Sequence, residues 1–373
     1  MSDVKTSIVV NSRDLKSFVN FPWKVYEKRS LWVPPLKREV YRLLDVKKHP
    51  FWRFSDQILI LARRGADTIG RIAGIVDHNY NRYHGEKGGI WGFFECVDDV
   101  AAAKALFSAV KTWAAGKGMT FLRGPLNPST NYEAGLLVEG FEHRPTLMMT
   151  YNPPYYAGFV ESSGYEKEKD LLSFFVDGNY QPPHWIEAVS SRVKKDMNAW
   201  ARPVHPKEFV SEAALIRRIY HEAWSENWGF VPTTEDEFRW IAKSVERVIE
   251  EDLAFFVYCG EEPVGFALIL PDINPLLKRL NGKIGLSGLW KILRHKKEIN
   301  GTRGFMFGIK KQYQEVGLPA VALDHLLGKI GKDDKFQYFE FGWTLEDNDA
   351  INQWLMEGGM RVRNRYRIFR KNF

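Results

Sequence analysis

Apolar positions along this chain follow two spacings, the alternation typical of strands and the period near 3.6 typical of helices. The first half predicts strands at 57–63, 68–76 and 90–96, a helix at 100–115, a strand at 120–123, a helix at 155–163 and a strand at 171–176. The second half predicts helices at 212–225 and 235–250, strands at 253–259, 264–270 and 303–309, a helix at 319–330, a strand at 336–343, a helix at 347–357 and a strand at 362–369. The shared order predicts an α/β chain with an internal repeat.

Local sequence agrees with this repeat. A polar turn precedes Ile69-Gly70-Arg71 in the first half, and a similar turn precedes Val264-Gly265-Phe266 in the second. A segment rich in Gly, Asn and Pro at 177–183 separates the halves. We therefore expect two domains, at 1–180 and 181–373.

Composition narrows the class of protein. The chain has 373 residues with a formal net charge of +7, which favours acidic partners. Its two cysteines are too few for a disulfide scaffold or a cysteine-only metal site. The polar first 16 residues do not read as a signal peptide, and we see no apolar run of membrane-spanning length. We expect a cytoplasmic protein, with peripheral association at the inner membrane left open.

The segment 303–330 carries the clearest chemical signal. An apolar strand enters a polar loop that contains Gly317, and a helix begins directly afterwards. Successive backbone N–H groups and the positive end of a helix bind phosphate in such a loop. At the matching place the first half carries Asp98 and Asp99, which would repel a pyrophosphate. We therefore expect one competent site, in the second copy.

Gln314, Gly317 and Pro319, followed by Asn348 and the Gly359-Met360 pair, resemble the pyrophosphate loop and C-terminal helix–strand of the GNAT acyltransferase superfamily. Pro319 departs from the family's glycine or alanine and lacks an N–H. The resemblance implies two tandem GNAT-like domains of the α/β (α+β) class, each a mixed, mostly antiparallel sheet flanked by helices. Overall, the chain is similar to bacterial tandem-GNAT proteins related to bacterial ceramide synthases.

The same resemblance implies an acyl donor, either acyl-CoA (with CoA as the product) or the phosphopantetheine of an acyl carrier protein. The residues implied to hold it are Phe307, Gly308, Ile309, Gln314, Val316, Gly317, Leu318, Ala320 and Asn348. Leu355 stands where the family often has a tyrosine that protonates the departing thiolate. A thiol with a pKa near 8.5 leaves without full protonation, so acyl transfer remains feasible.

Two polar, aromatic segments, at 126–135 with 150–156 and at 222–232, are candidates for the acceptor site. Glu226 or Glu133 is the candidate general base, directly or through a water, and Tyr151 is a further candidate catalytic residue. The candidate acceptor-binding residues are Asn131, Asn152, Asn227 and Trp228. The alternative is that these residues cap helices and satisfy loop backbone.

Two further segments need an interpretation. The insertion at 272–302 mixes basic and large apolar residues, which suits an anionic membrane surface, an acidic acyl carrier protein, an acyl-chain lid, or a helical hairpin with a solvated basic face. The polar segment 77–84 matches no zinc pattern, so we predict a loop and no metal.

The predicted function is an N-acyltransferase that acylates a small-molecule or lipid amine, with a sphingoid-base-like acceptor suggested by the ceramide synthase resemblance. The alternative is a non-catalytic CoA-binding or regulatory protein that kept the fold. The chain contains no recognised nucleic-acid-binding motif, so no nucleic acid is expected.

Overall fold

The computed structural model of the protein describes residues 3–29, 31–330 and 335–373. Its helices are α1 Ser12–Asn20, α2 Pro22–Val25, α3 Lys37–Leu43, α4 His78–His84, α5 Val100–Gly116, α6 Tyr156–Ser162, α7 His184–Met197, α8 Phe209–Trp224, α9 Glu235–Val245, α10 Asn274–Leu280, α11 Leu286–His295, α12 Leu318–Ile330 and α13 Asp349–Glu357. Its strands are β1 Val4–Ile8, β2 Ser55–Arg64, β3 Asp67–Asp77, β4 Gly88–Cys96, β5 Phe121–Gly124, β6 Leu126–Asn127, β7 Glu133–Ala134, β8 Leu136–Glu139, β9 Glu166–Asp177, β10 Ala199–Pro203, β11 Ala254–Cys259, β12 Glu262–Pro271, β13 Gly301–Ile309, β14 Tyr338–Leu345 and β15 Arg361–Asn372.

The chain divides into two compact units. Unit 1 contains 1–171, 276–293 and 364–373, and unit 2 contains 172–275 and 294–363. Most of the last strand, β15, thus belongs to unit 1, and the second half of β9 belongs to unit 2. The insertion at 276–293 also belongs to unit 1, although it lies in the second half of the sequence. The domain limits at 180 and 181 stay a prediction.

The sheet of unit 1 is mostly antiparallel. β1 pairs with β2, β2 with β3 and β3 with β4, all antiparallel, and β4 then pairs with β5 in parallel. β15 runs antiparallel to both β5 and β8. The helix α5 packs on this sheet and buries Leu106 and Val110 completely.

Unit 2 repeats this pairing. β10 pairs with β11, β11 with β12 and β12 with β13, all antiparallel, and β13 pairs with β14 in parallel. The helix α12 occupies the place that α5 has in unit 1, with Leu318 and Val321 fully buried against the sheet. The predicted tandem α/β fold with mixed, mostly antiparallel sheets is therefore confirmed.

Two glycines mark equivalent points of the copies. In unit 1 the parallel pair begins with Gly88 opposite Phe121, and in unit 2 it begins with Gly301 opposite Tyr338. A Cβ on Gly88 would lie 2.4 Å from a ring carbon of Phe121, and one on Gly301 would lie 1.9 Å from the ring of Tyr338. A side chain at either position would force the opposite ring to move, and the shared glycine gives a common reference point for comparing β4 with β13.

Some elements differ from their prediction. The segment 77–84 was predicted as a loop, but it forms α4, because the carboxylate of Asp77 caps the helix by accepting from Asn79 N and Tyr80 N. The strand β1 and the helices α1 and α7 were not predicted. The helix predicted at 235–250 ends at Val245 and continues as a 3₁₀ turn.

Candidate functional site

The strands β13 and β14 separate part of the way along unit 2. They pair from Gly301–Gly304 with Tyr338–Phe341, and this register ends there. β13 nevertheless stays paired with β12 as far as Ile309. The strands therefore part on the β14 side over the same stretch of β13 that holds the predicted donor residues Phe307, Gly308 and Ile309.

An apolar cleft lies at this separation. Its free volume is about 50 Å³, and its lining comes from β13, β14, α12, α13 and the inner face of β11 and β12. The apolar side chains of this lining include Met306, Phe307, Leu323, Phe341, Trp354 and Leu355. These walls favour an apolar ligand, and the lining side chains must move apart before anything larger than a small group can enter.

Leu355 is one of the cleft walls. Its side chain is 3% exposed, and it packs with Leu172, Phe174 and Met360. The side chain that stands where the family often places a proton donor is thus a packed apolar group, and this wall supplies no acid.

The predicted phosphate loop has the expected backbone turn. A 3₁₀ helix, Lys311–Val316, ends at Gly317, whose φ of 85° lies in the left-handed region, and α12 begins at the next residue. A Cβ on Gly317 would also lie 2.8 Å from Val189 on α7. Gly317 is therefore needed both for the turn and for the close approach of α7.

Polar side chains of this loop are already engaged. Lys310 pairs with Glu262 at 2.9 Å and Glu222 at 3.6 Å. Lys311 pairs with Glu226, whose side chain is 82% exposed. Gln314 donates to the carbonyl of Ile309 at 2.8 Å, which closes the loop on β13. A bound phosphate would compete with acidic side chains for these two lysines.

Other predicted donor residues have structural partners as well. Ile309, Leu318 and Ala320 are buried in the core of unit 2, while Val316 is exposed. The side chain of Asn348 accepts from Ile351 N at 3.4 Å and so caps α13. Of the predicted set, Phe307 lines the cleft directly.

The predicted acceptor residues of unit 2 lie beside the same strand. The indole N–H of Trp224, at the end of α8, donates to the carbonyl of Phe307 at 3.0 Å. Asn227 N–H then donates to Trp224 O, and Asn227 O accepts from Phe230, so 224–230 forms a tight turn that holds Trp228. Unit 2 therefore brings Glu226, Asn227 and Trp228 to the end of the helix that contacts β13.

The predicted acceptor residues of unit 1 lie in its central loops. Glu133 accepts from the amide of Asn127 at 3.4 Å. The Asn131 N–H donates to the hydroxyl of Ser129 at 3.3 Å. Burial raises the pKa of the Tyr151 hydroxyl, which donates to Phe141 O at 3.4 Å. Asn152 is buried and bonds both backbone groups of Leu137, a structural role.

The place in unit 1 that matches the donor loop is filled by the chain itself. Alignment of Gly88 with Gly301 makes Cys96 the counterpart of Ile309. The hydroxyl of Tyr156 accepts from Cys96 N at 2.7 Å. The carboxylate of Asp99 caps α5 by accepting from Ala101 N and Ala102 N, both at 3.1 Å. These contacts favour the second copy as the donor site.

Unit 1 contains a buried cluster of ionisable side chains that was not predicted from the sequence. Glu95 is 13% exposed, accepts from Tyr156 Oη at 2.8 Å and faces Arg71 at 3.8 Å. Burial raises the pKa of the Glu95 carboxyl to about 7, since desolvation outweighs the attraction of Arg71. Tyr26 adds a second hydroxyl, whose pKa burial also raises. A carboxyl that titrates near neutrality is suited to acid–base chemistry.

Two features are absent from the residues that the structure describes. No group of three or more His, Cys, Asp or Glu side chains is placed to hold a metal ion within 3–29, 31–330 and 335–373. Across the same part of the chain, no helix has both the length and the apolar character needed to cross a membrane.

Solved structures that resemble this chain show which fold it has. A tandem GNAT protein from the clavulanic acid biosynthesis pathway aligns over 99% of this chain and 98% of its own, with a TM-score of 0.56 and 10% identity. A GCN5-related N-acetyltransferase from Sphaerobacter thermophilus aligns over 99% and 95%, with a TM-score of 0.52 and 12% identity. The fold is that of a tandem GNAT protein.

Sequence relatives define the family. The chain is 32% identical over 379 residues to the bacterial ceramide synthase of Caulobacter vibrioides, covering 99% of this chain and 98% of that protein. It is 30% identical over 378 residues to Protein YghO of Escherichia coli, covering 97% and 94%. No family model matches the chain. The chain belongs to the family of these two proteins, has the tandem GNAT fold and is an acyltransferase.

Proposed function

We propose that this protein transfers an acyl group from acyl-CoA to the amine of a long-chain, sphingoid-base-like acceptor. The observation that carries the proposal is the full-length similarity to a protein named bacterial ceramide synthase. The apolar cleft at the separation of β13 and β14 supports binding of the acyl donor in unit 2. Acyl carrier protein remains the other candidate carrier.

The donor is proposed to enter unit 2 between α12 and α13. The walls Met306, Leu323 and Trp354 suit the apolar part of the donor next to the thioester, which would then lie along β13. The start of α12 at Gly317 offers backbone N–H groups and the positive end of a helix dipole to the pyrophosphate. These features support CoA as the donor, and the reacting carbonyl is proposed to lie near Phe307 and Gly308.

The reaction needs a neutral amine. Acyl-CoA supplies an activated thioester, the amine nitrogen forms a bond to its carbonyl carbon, and the carbon–sulfur bond breaks to release CoA. An amine with a pKa near 10 must first lose a proton, which Glu226 or Glu133 is proposed to take, directly or through a water. Backbone N–H groups near Phe307 and Gly308 are proposed to hold the developing oxyanion.

Three further residues are proposed to position the acceptor. Asn227 and Trp228 follow the helix end that contacts β13, and Asn131 lies in the central loops of unit 1. Because Leu355 supplies no proton, the thiolate is proposed to leave unprotonated, which its low pKa allows. The slow and controlled step is then deprotonation and attack by the amine.

The proposal is tested by offering the full-length protein acetyl-, octanoyl- and palmitoyl-CoA with either sphinganine or spermidine. Free CoA is measured as thiol release, and the amide product is identified by mass spectrometry. We expect an N-acyl product with sphinganine and little with spermidine. Product with spermidine alone would overturn the lipidic acceptor, and saturable CoA binding without product would favour a non-catalytic CoA-binding protein.

A further inference from the structure

The insertion at 276–293 is part of unit 1 and is anchored on its N-terminal helices. Trp23 Nε1–H donates to Asn281 Oδ1 at 2.7 Å, and Lys37 N–H donates to Gly282 O at 3.0 Å. The ring of Trp23 covers Gly282 so closely that a Cβ there would lie 2.4 Å from it. Leu276 and Leu280 are buried. One side of the insertion is thus fixed by these contacts.

The exposed residues of the insertion include large apolar side chains. Ile284 is 58% exposed, Trp290 57% and Leu293 74%. Trp290 and Leu293 are three residues apart on α11, so they lie on the same face of that helix. Exposed large apolar side chains grouped on one short segment mark an interaction site.

The same segment is exclusively basic in its charged residues. Between 276 and 293 the sequence contains Lys278, Arg279, Lys283 and Lys291 and no acidic residue. The first three of these cations are exposed, and Lys291 donates to Arg279 O at 3.0 Å. We call Lys278, Arg279, Lys283, Ile284, Trp290 and Leu293 the insertion surface.

Neighbouring parts of unit 1 add positive charge. The pKa of Lys37 is lowered by burial and then by the cations Lys283 and Lys16. The pKa of Lys278 is lowered by burial and then by Arg144 and Arg279. Cations here are crowded by other cations, so an anionic surface laid against them would relieve repulsion as well as supply attraction.

We propose that the insertion surface docks this protein on an anionic lipid bilayer, with Ile284, Trp290 and Leu293 inserted at the headgroup level and the cations against lipid phosphates. Basic residues interleaved with Trp and Leu on an amphipathic helix are suited to the membrane interface. A bilayer accepts apolar side chains of any shape, whereas an acidic protein partner would need a matching pocket for each one. The inference does not depend on the identity of the acyl acceptor.

The test is flotation of the full-length protein with vesicles of equal parts phosphatidylglycerol and phosphatidylcholine, and with phosphatidylcholine alone. We expect binding to the anionic vesicles alone, weakened by added salt. The double variants Ile284→Ala/Leu293→Ala and Arg279→Glu/Lys283→Glu should each lower the partition coefficient about tenfold or more. Circular dichroism and the melting temperature check that each variant is folded.

Unit 1 offers matched controls. Ile8 and Val10 are 55% and 80% exposed, so Ile8→Ala/Val10→Ala removes similar exposed apolar groups elsewhere. Lys5→Glu/Lys104→Glu reverses two exposed charges away from the insertion. Both controls should float like the wild type.

Three outcomes would overturn the proposal. Equal loss of binding in the control variants would show nonspecific attraction. Equal binding to vesicles of phosphatidylcholine alone would show that the basic residues do not contribute to membrane binding. Failure to float, combined with capture of a phosphopantetheinylated acyl carrier protein through the same residues, would make the insertion surface a protein-docking site.

Discussion

The ammonium group of Lys311, in the predicted phosphate loop, forms an ion pair with the carboxylate of Glu226, in the predicted acceptor segment. The pair joins the two halves of the proposed site within unit 2. Because Glu226 is 82% exposed, the pair contributes little to stability and is easily exchanged for other partners. A phosphate that draws Lys311 away would release Glu226 to act on the acceptor.

The first prediction distinguishes a catalytic role of Glu226 from a donor-binding role of Lys311. Glu226→Gln should lower kcat about 100-fold, the usual contribution of a general base, with little change in KM for acyl-CoA. Lys311→Gln breaks the same ion pair but keeps the carboxylate, so it should raise KM for acyl-CoA and largely retain kcat. Steady-state kinetics on both variants, together with Glu133→Gln, provide the comparison. Unchanged rates in both glutamate variants would contradict the assigned base.

The second prediction concerns the cleft. Leu323 and Leu327 are half-buried on the same helix, but of the two only Leu323 lines the cleft. Leu323→Trp should fill it and raise KM for acetyl-CoA and palmitoyl-CoA alike, about tenfold, equivalent to about 1.4 kcal/mol of lost binding. Leu327→Trp is the control and should leave KM near the wild-type value. Equal effects from the two substitutions would place the donor elsewhere.

The third prediction concerns Gly317. Gly317→Ala forces a side chain into the left-handed region and against Val189, so it should lower the free energy of unfolding by about 1–3 kcal/mol. Gly328→Ala, in the helix that follows, has open space around its Cβ and should be neutral or stabilising by about 0.5–1 kcal/mol. Urea denaturation measures both. Adding Val189→Ala should recover part of the Gly317→Ala loss, and no recovery would rule out the steric component.

The fourth prediction follows from Glu95. Folding raises the pKa of this carboxyl from 4.5 to about 7, so the folded state binds the extra proton between those values. Its contribution to stability is complete below pH 4.5 and is lost as the pH rises through about 7. The loss should be about 3 kcal/mol of unfolding free energy.

Glu95→Gln should remove this pH dependence. Burial lowers the pKa of His49 and His221 to about 4, so both oppose the trend at acid pH. They are present in both proteins, so the difference between wild type and Glu95→Gln isolates the carboxyl. Denaturation curves at several values between pH 4.5 and 8 measure it, and parallel curves would show that Glu95 keeps an ordinary pKa.

The sequence predicted most of the fold because the signals are local. The hairpins β2–β3 and β11–β12 follow from alternating apolar residues and from turn residues that lie side by side in the chain. The helix α7 was not predicted, because the prolines and polar residues before it obscure the spacing of Ile186, Ser190 and Val193. The loop at 77–84 was misread because a single cap, Asp77, decides between loop and helix.

The candidate site was predictable in part. The loop around Gly317 could be found because its chemistry depends on consecutive residues. The cluster of Glu95, Arg71, Tyr26 and Tyr156 could not, because it joins four separate segments and its properties arise from burial. The ion pairs of Lys310 and Lys311 could not be predicted either, because their acidic partners lie on other elements of the fold.

The central claim is that the acyl donor binds in unit 2 at the separation of β13 and β14. The most direct test is photolabelling with an acyl-CoA that carries a diazirine next to the thioester, followed by mass spectrometry of the digested protein. We predict that the label lies in Gly301–Ile309, Leu318–Ile330 or Asp349–Glu357, and that excess CoA prevents it. Label in the matching elements of unit 1, Gly88–Cys96 or Val100–Gly116, would contradict the account.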